Sequence, residues 1–493
     1  MNYLIPLMVV IPILAALIVN IFGGKDKTVK AISIVVAIAI PIIAILAAVG
    51  IQYFGGHDPA LLASSLPSNL VGTLVASYNT GIVYVFENIE RIFIFLMGIV
   101  AFLAVLTYFA EKKEVSGPYL YLIFMGIASV TALMLSNDIF NMYVFFEITA
   151  LTQVGIIIAS STEDNYEIAL KYLILGAIGG PMLLLGIGFI LGTVGSVNIN
   201  DIIFAISNNY VNPYAPSLVI GFALILFGWL YSAGLPPFHT IKSAVYSKAR
   251  PNGSAILQGF SVLCMLAFGI AMYKIFAYIP YFNTAIIVFA ILAMALSIAM
   301  SAMEVDFRRM IAFLAVGELG FIALGFGIGT QYSIAAALFQ AANEIVITAL
   351  LFIGFGTVYY LTKTSDTRKL GGLIAVDSKM AIMVLLGGFA LAGVPPFNGF
   401  QSKLMLVQAA LDAGYTELAV LAIIVSVVIF FTFVKAFHTV YLQPKPKDLK
   451  FAHEKIPKAT VFSVAVLLII CLALGIFPNI VTDVFIPFAG GLI

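Results

Sequence analysis

Fourteen stretches of about 20 mostly apolar residues follow one another along this chain, each long enough to cross hydrocarbon. They lie near 3–22, 31–54, 84–109, 118–136, 138–160, 167–193, 216–237, 254–278, 284–303, 309–329, 333–361, 380–411, 417–442 and 459–480. A backbone in lipid must satisfy its polar groups internally, so each stretch reads as a transmembrane helix. The first reads as a span and not as a cleaved signal peptide, because it lacks a charged start and a small-residue cleavage site. The longest polar connections, 55–83, 194–215 and 362–379, are too short for a soluble domain. With 62% hydrophobic and 10% charged residues, the composition excludes a soluble, disordered or nucleic-acid-binding protein. The expected fold is an all-α polytopic membrane protein, one membrane domain over 1–493.

Basic residues orient the spans. Nineteen of the 24 lysines and arginines fall in the odd-numbered connections, among them Lys242, Lys248 and Arg250 after span seven. The even-numbered connections hold only Lys274; Arg91, Lys171, Lys403 and Lys435 lie within spans. This asymmetry places the odd connections in the cytoplasm and both termini outside a cell membrane.

The hexapeptide Ala233-Gly-Leu-Pro-Pro-Phe238 recurs as Ala392-Gly-Val-Pro-Pro-Phe397, 159 residues later. That offset is five spans, an odd number, so the second copy runs in the opposite sense. The expectation is an inverted five-helix repeat, 118–278 and 284–442, with helices seven and twelve broken at Pro236, Pro237, Pro395 and Pro396. Proline removes a backbone donor and frees a carbonyl, tolerable at membrane depth only beside protein or a hydrated cavity. Paired breaks mark a transporter core; the alternative is an ordinary proline kink at each.

A charge at mid-bilayer costs at least roughly 2.5–3.5 kcal/mol, so ionisable residues within spans are functional candidates. Glu147 lies mid-way along span five, and Lys403 a turn or two after the second break. A lysine there suits a proton carrier or snorkels to the interface. Glu318 and Glu344, with Asn343, are either protonatable sites of a chain or neutral structural acids. Lys171 sits one turn into span six, where proton entry and snorkelling compete, and Lys435 is similar in span thirteen. His239, at the first break, either gates hydration or only caps a helix. Arg91 reads as an ion pair with Glu87 or Glu90, and Glu304, Asp306, Arg308 and Arg309 as a solvated loop. The sequence has no phosphate loop, dinucleotide fingerprint, metal-ligand spacing or haem histidine pair, so no cofactor and no catalytic chemistry is expected.

In these residues the sequence resembles the antiporter-like membrane subunits of respiratory complex I, Mrp-type sodium/proton antiporters and membrane-bound hydrogenase or sulfane-sulfur reductase complexes. The matching segments are Asn137-Asp-Ile-Phe-Asn-Met-Tyr-Val-Phe-Phe-Glu147, Ala169-Leu-Lys-Tyr-Leu-Ile-Leu-Gly176, Asp306-Phe-Arg-Arg-Met-Ile-Ala-Phe313, Leu370-Gly-Gly-Leu373 and Ala392 to Lys403. The resemblance implies proton or sodium transfer along a mid-membrane axis, with Glu147 as the family's fifth-span glutamate and Lys403 its twelfth-span lysine. It also implies partner membrane subunits around the chain, in the lipid bilayer. The chain departs from the family pattern in its centre. Ser232 stands for the seventh-span lysine, Ile241-Lys-Ser-Ala244 for tryptophan-leucine-proline-aspartate, and Glu344 and Thr348 for an eleventh-span histidine and lysine. The eighth-span lysine expected near Leu263 or Leu266 is missing. These departures point to a subunit diverged from the family's full lysine relay, whose axis, if it conducts, is expected to run through carboxylates and water. The alternatives are a non-conducting structural subunit of the same complex and a free-standing secondary transporter.

Overall fold

The structure, a computed structural model, describes residues 4–22, 26–47, 52–54, 82–111, 115–160, 163–212, 214–279, 281–453 and 455–492. The expected polar connection 55–83 lies almost wholly outside them. Among the described residues, thirteen helices are long and apolar enough to cross a membrane. Spans one to six are Leu4–Ile21, Asp26–Leu46, Asn88–Glu111, Gly117–Leu135, Ile139–Ile158 and Glu163–Val194. Span seven starts as Pro216–Ala233 and resumes as His239–Lys248. Spans eight to eleven are Pro251–Phe276, Phe282–Met303, Phe307–Ile328 and Gln331–Thr362. The expected twelfth span is two shorter helices, Ser378–Ala392 and Asn398–Asp412. Thr416–Phe437, which runs on to Leu442, and Lys458–Ile476 complete the set. Span two stops at Leu46, short of the expected residue 54, because Gln52–Phe54 pair as a strand with Tyr84–Phe86.

Span ten is fully buried and spans eight and eleven nearly so, whereas spans one, two, six, nine and thirteen keep much of their surface exposed. Those outer faces carry Leu170, Leu173, Ile174, Val420, Ile424 and Phe431 toward lipid. Buried polar side chains lie on spans eight, ten and eleven and also on spans five, seven and twelve. Trp229, the sole tryptophan, ties span seven to span eight by donating to the Met265 carbonyl at 2.8 Å.

Local rules set the helix starts. Asp138, Asp306 and Asp377 accept backbone N–H groups at the first turns of spans five, ten and twelve, filling orphan donors. Asp138 also bridges Asn198 as an antiparallel pair, and Asp306 bridges Asp366 in the same way 168 residues later. The Arg368 guanidinium hydrogen-bonds Asp366 and holds its carboxyl below the ordinary range. Phe307 begins span ten, so Asp306, Arg308 and Arg309 are not a free loop. Arg308 donates to the Ala249 carbonyl and stacks on Tyr359 at 5.0 Å, joining spans seven, ten and eleven.

The two breaks share one construction. Gly234 and Gly393, with φ of 75° and 78°, end the first half-helices in the left-handed conformation, which glycine adopts without strain. Leu235 N–H then reaches back to Leu230, and Val394 N–H to Phe389, each at 2.9 Å. This closes each helix end as a Schellman turn. Phe238 and Phe397 repeat the next bond, to Leu235 and Val394, and a second half-helix follows.

Candidate functional site

The second break delivers Lys403 into the protein interior, where only 6% of the residue is exposed. Its ammonium donates to Glu318 Oε1 at 2.7 Å and to the Leu391 carbonyl at 2.7 Å, a group freed by the break. The same ammonium lies 4.7 Å from the centre of the Phe321 ring. Glu318 Oε2 accepts from Gln340 at 2.7 Å. Ser402 donates to Gln340 Oε1 at 2.6 Å. Asn343 and Asn398 exchange bonds at 3.0 and 2.8 Å, bracing span eleven against the second half of span twelve. Sequence reasoning named Lys403, Glu318 and Asn343; the structure brings them together.

Glu344 is fully buried one turn from Gln340. Its Oε1 accepts from Gln258 of span eight at 2.9 Å, and Thr348 donates to its backbone carbonyl. Its Oε2 and the Gln258 Oε1 have no hydrogen-bond partner. Such orphaned acceptors are costly when buried, and both lie where spans eight and eleven meet.

A second cluster surrounds Lys242, 1% exposed. Its ammonium donates to Ser261 at 2.9 Å, Tyr172 at 3.0 Å and Gln153 Oε1 at 3.1 Å. Tyr172 donates to the same Gln153 oxygen at 3.0 Å, and Ser261 shares a 2.6 Å bond with Tyr246. Counting Lys242 among the cytoplasmic basic residues is therefore a mistake. Hydropathy stops span seven at Pro237, but the chain re-enters as His239–Lys248 and buries this side chain.

Glu147 is half-buried in span five, with its carboxylate against Gly180 of span six. A Cβ on Gly180 would collide with its carboxylate. Tyr231 lies between this carboxylate and the Lys242 cluster, stacked on Tyr172 at 5.6 Å and edge-on to Phe146 at 6.1 Å. His239 starts the second half of span seven, half-exposed, with a buried Nδ1 that has no partner. Lys171 is exposed and pairs with Glu167 one turn away, apart from both clusters. Pro236 is buried, while Pro237, Pro395 and Pro396 are exposed.

A family model described as NADH:quinone oxidoreductase/Mrp antiporter, transmembrane, matches residues 136–432. The chain belongs to this family. Every residue of both clusters falls inside the match. An uncharacterized protein of Methanocaldococcus jannaschii is 35% identical over 98% of this chain and 97% of its own length. A Na(+)/H(+) antiporter subunit of Alkalihalophilus pseudofirmus is 28% identical, covering 72% of this chain and 73% of its own. The membrane-bound sulfane sulfur reductase, an archaeal respiratory membrane complex, contains a chain of the same fold. Its TM-score is 0.84 at 24% identity, covering 99% of this chain and 97% of that one. The protein is thus an antiporter-like polytopic membrane subunit, as its motifs led us to expect.

The sequence reading missed Lys242, Gln153, Gln258 and Gln340. Glutamines inside apolar spans are uncharged and draw no attention individually. Their shared placement on spans five, eight and eleven, the helices beside the breaks, is the signal that was there to use.

Proposed function

We propose that this subunit carries protons across the cell membrane within a larger membrane complex. The Lys403–Glu318 pair, buried beside a helix break, is the observation that carries the reading. An ammonium on the axis repels a metal cation but can itself hold and release a proton, which favours protons over sodium. From Glu147 the path follows the Lys242 cluster, the Gln258–Glu344 joint, and then Glu318 and Lys403. Glu344 Oε2 is the acceptor open to an arriving proton. Partner subunits supply the driving reaction, and the two halves 118–278 and 284–442 act as inverted repeats. The recurrent Gly-x-Pro-Pro break and the two aspartate bridges support that division.

The test is Glu344→Gln in the native complex, reconstituted into vesicles with a pH-sensitive dye inside. The variant keeps the side-chain shape and an acceptor for Gln258 while removing the exchangeable proton. Proton uptake is expected to fall on the order of a hundredfold with normal assembly. Unchanged proton uptake leaves the structural-subunit reading ahead, and uptake of sodium in place of protons overturns the choice of ion. Glu147→Gln is expected to act in the same direction.

The orientation has its own check. With Lys242 removed from the count, eighteen basic residues still face one side, which we assign to the cytoplasm, with both termini outside. Cysteines placed between Lys445 and Lys458 are expected to react with an impermeant reagent only after the membrane is opened. Labelling of intact cells contradicts the orientation.

A further inference from the structure

We propose that Lys242 is a proton-transfer residue of the axis, an amine supplied to its centre by the second half of broken span seven. This rests on the conduction reading above and names the group that completes it. The carboxylates alone leave the first half of the path without a titrating group between Glu147 and Glu344. Lys242 stands in that interval.

Three observations carry the inference. First, the two lysines are presented by the same device. A Cβ on Gly234 would strike the Lys242 stem, and one on Gly393 would press on the Lys403 stem at 3.1 Å. Each side chain therefore folds back over the left-handed glycine that ends its preceding half-helix.

Second, the two lysines point into corresponding pockets. The aspartate bridges relate spans five and six to spans ten and eleven by 168 residues. Under that shift Gln153 falls on Phe321 and Tyr172 on Gln340. Lys242 binds Gln153 and Tyr172, while Lys403 sits over Phe321 and shares Glu318 with Gln340. The residue corresponding to Glu318 is Ala150, so the first pocket has no acid at that place.

Third, the partners of Lys242 suit an amine that changes its protonation. An ammonium has three donors and meets three neutral oxygens. A neutral amine has two donors and one lone pair. The Tyr172 and Ser261 hydroxyls both donate as well as accept, so rotating either one satisfies the second form. No ion pair must break when the proton leaves. Lys403, held by Glu318, has no such freedom without disturbing its partner. A proton leaving Lys242 Nζ passes through the Ser261 hydroxyl, itself bonded to Tyr246, toward Gln258 one turn along span eight and its partner Glu344 of span eleven.

Lys242→Met and Lys242→Gln are compared with Lys403→Met in the native complex, with proton uptake and the amount of assembled complex both measured. Glutamine can still donate to the surrounding oxygens but cannot carry a proton, so a merely structural lysine is replaced by it. The expected result is that Lys242→Gln assembles normally and loses transport on the order of a hundredfold. Lys242→Met is expected to lose as much. Should the methionine variant fail to assemble, the glutamine variant decides alone. Native transport by Lys242→Gln while Lys403→Met is inactive overturns the role of Lys242 and leaves conduction standing. Native transport by both Lys242→Gln and Lys403→Met overturns conduction itself.

Discussion

Replacing Glu318 with Gln is expected to destabilise the protein by about 3–5 kcal/mol, the usual cost of leaving a buried charge without its partner. The Lys403 ammonium would keep only the Leu391 carbonyl and the face of Phe321, neither of which neutralises it. Lys403→Met is expected to act in the same direction by a smaller amount, because Gln340 still donates to the remaining carboxylate. The double variant Glu318→Gln with Lys403→Met removes both charges and is expected to return near native stability. Thermal unfolding of the purified complex in one detergent ranks the four proteins. A double variant as unstable as the worse single one would show that the ion pair is not the source of the loss.

Gly475→Ala is the second large effect. This glycine of span fourteen lies against the second break, and a Cβ there would meet the Pro396 carbonyl, with Phe397 and Asn398 backbone atoms at 2.5 and 2.6 Å. Those atoms belong to the turn that launches the half-helix bearing Lys403, and backbone cannot rotate aside as a side chain does. Overpacking of this kind costs about 1–3 kcal/mol. It also displaces Lys403, the proposed proton carrier, and a misplacement near 1 Å is expected to lower transfer on the order of a hundredfold. Gly192→Ala in span six is the contrast, since nothing lies within 4 Å of its Cβ position. That change is expected to stabilise by about 0.5–1 kcal/mol, with transport unaffected. Equal behaviour of the two variants in thermal unfolding and proton uptake would contradict the packing argument.

The difference between Lys403 and Lys242 shows what the sequence could and could not convey. Both follow an Ala-Gly-x-Pro-Pro-Phe break, and that repeat was visible without a structure. Lys403 is followed by Leu404, Met405 and Leu406 within a stretch apolar enough to read as membrane. His239–Lys248 carries Thr240, Lys242, Ser243, Ser247 and Lys248, so hydropathy ends the span at the prolines and assigns the lysine to a loop. The half-helix is buried because spans six, eight and ten pack against it, and spans five, six and eight supply Gln153, Tyr172 and Ser261 to its lysine. Those partners lie 89, 70 and 19 residues away in sequence, beyond any local pattern. The first strand of the short ladder was missed for a similar reason, since Gln52–Phe54 is apolar enough to prolong span two and is diverted by pairing with Tyr84–Phe86. Helix identity, the breaks and the buried carboxylates follow from local chemistry. The two polar clusters themselves, and the proposed axis through them, depend on long-range packing.

Proton uptake by the reconstituted complex carrying Glu318→Gln with Lys403→Met tests the central claim most directly, because this charge-balanced variant is expected to fold and assemble. Uptake is expected to fall to the level of vesicles lacking the complex, with native amounts of every partner subunit present. Uptake at the native rate would contradict a proton path through this subunit.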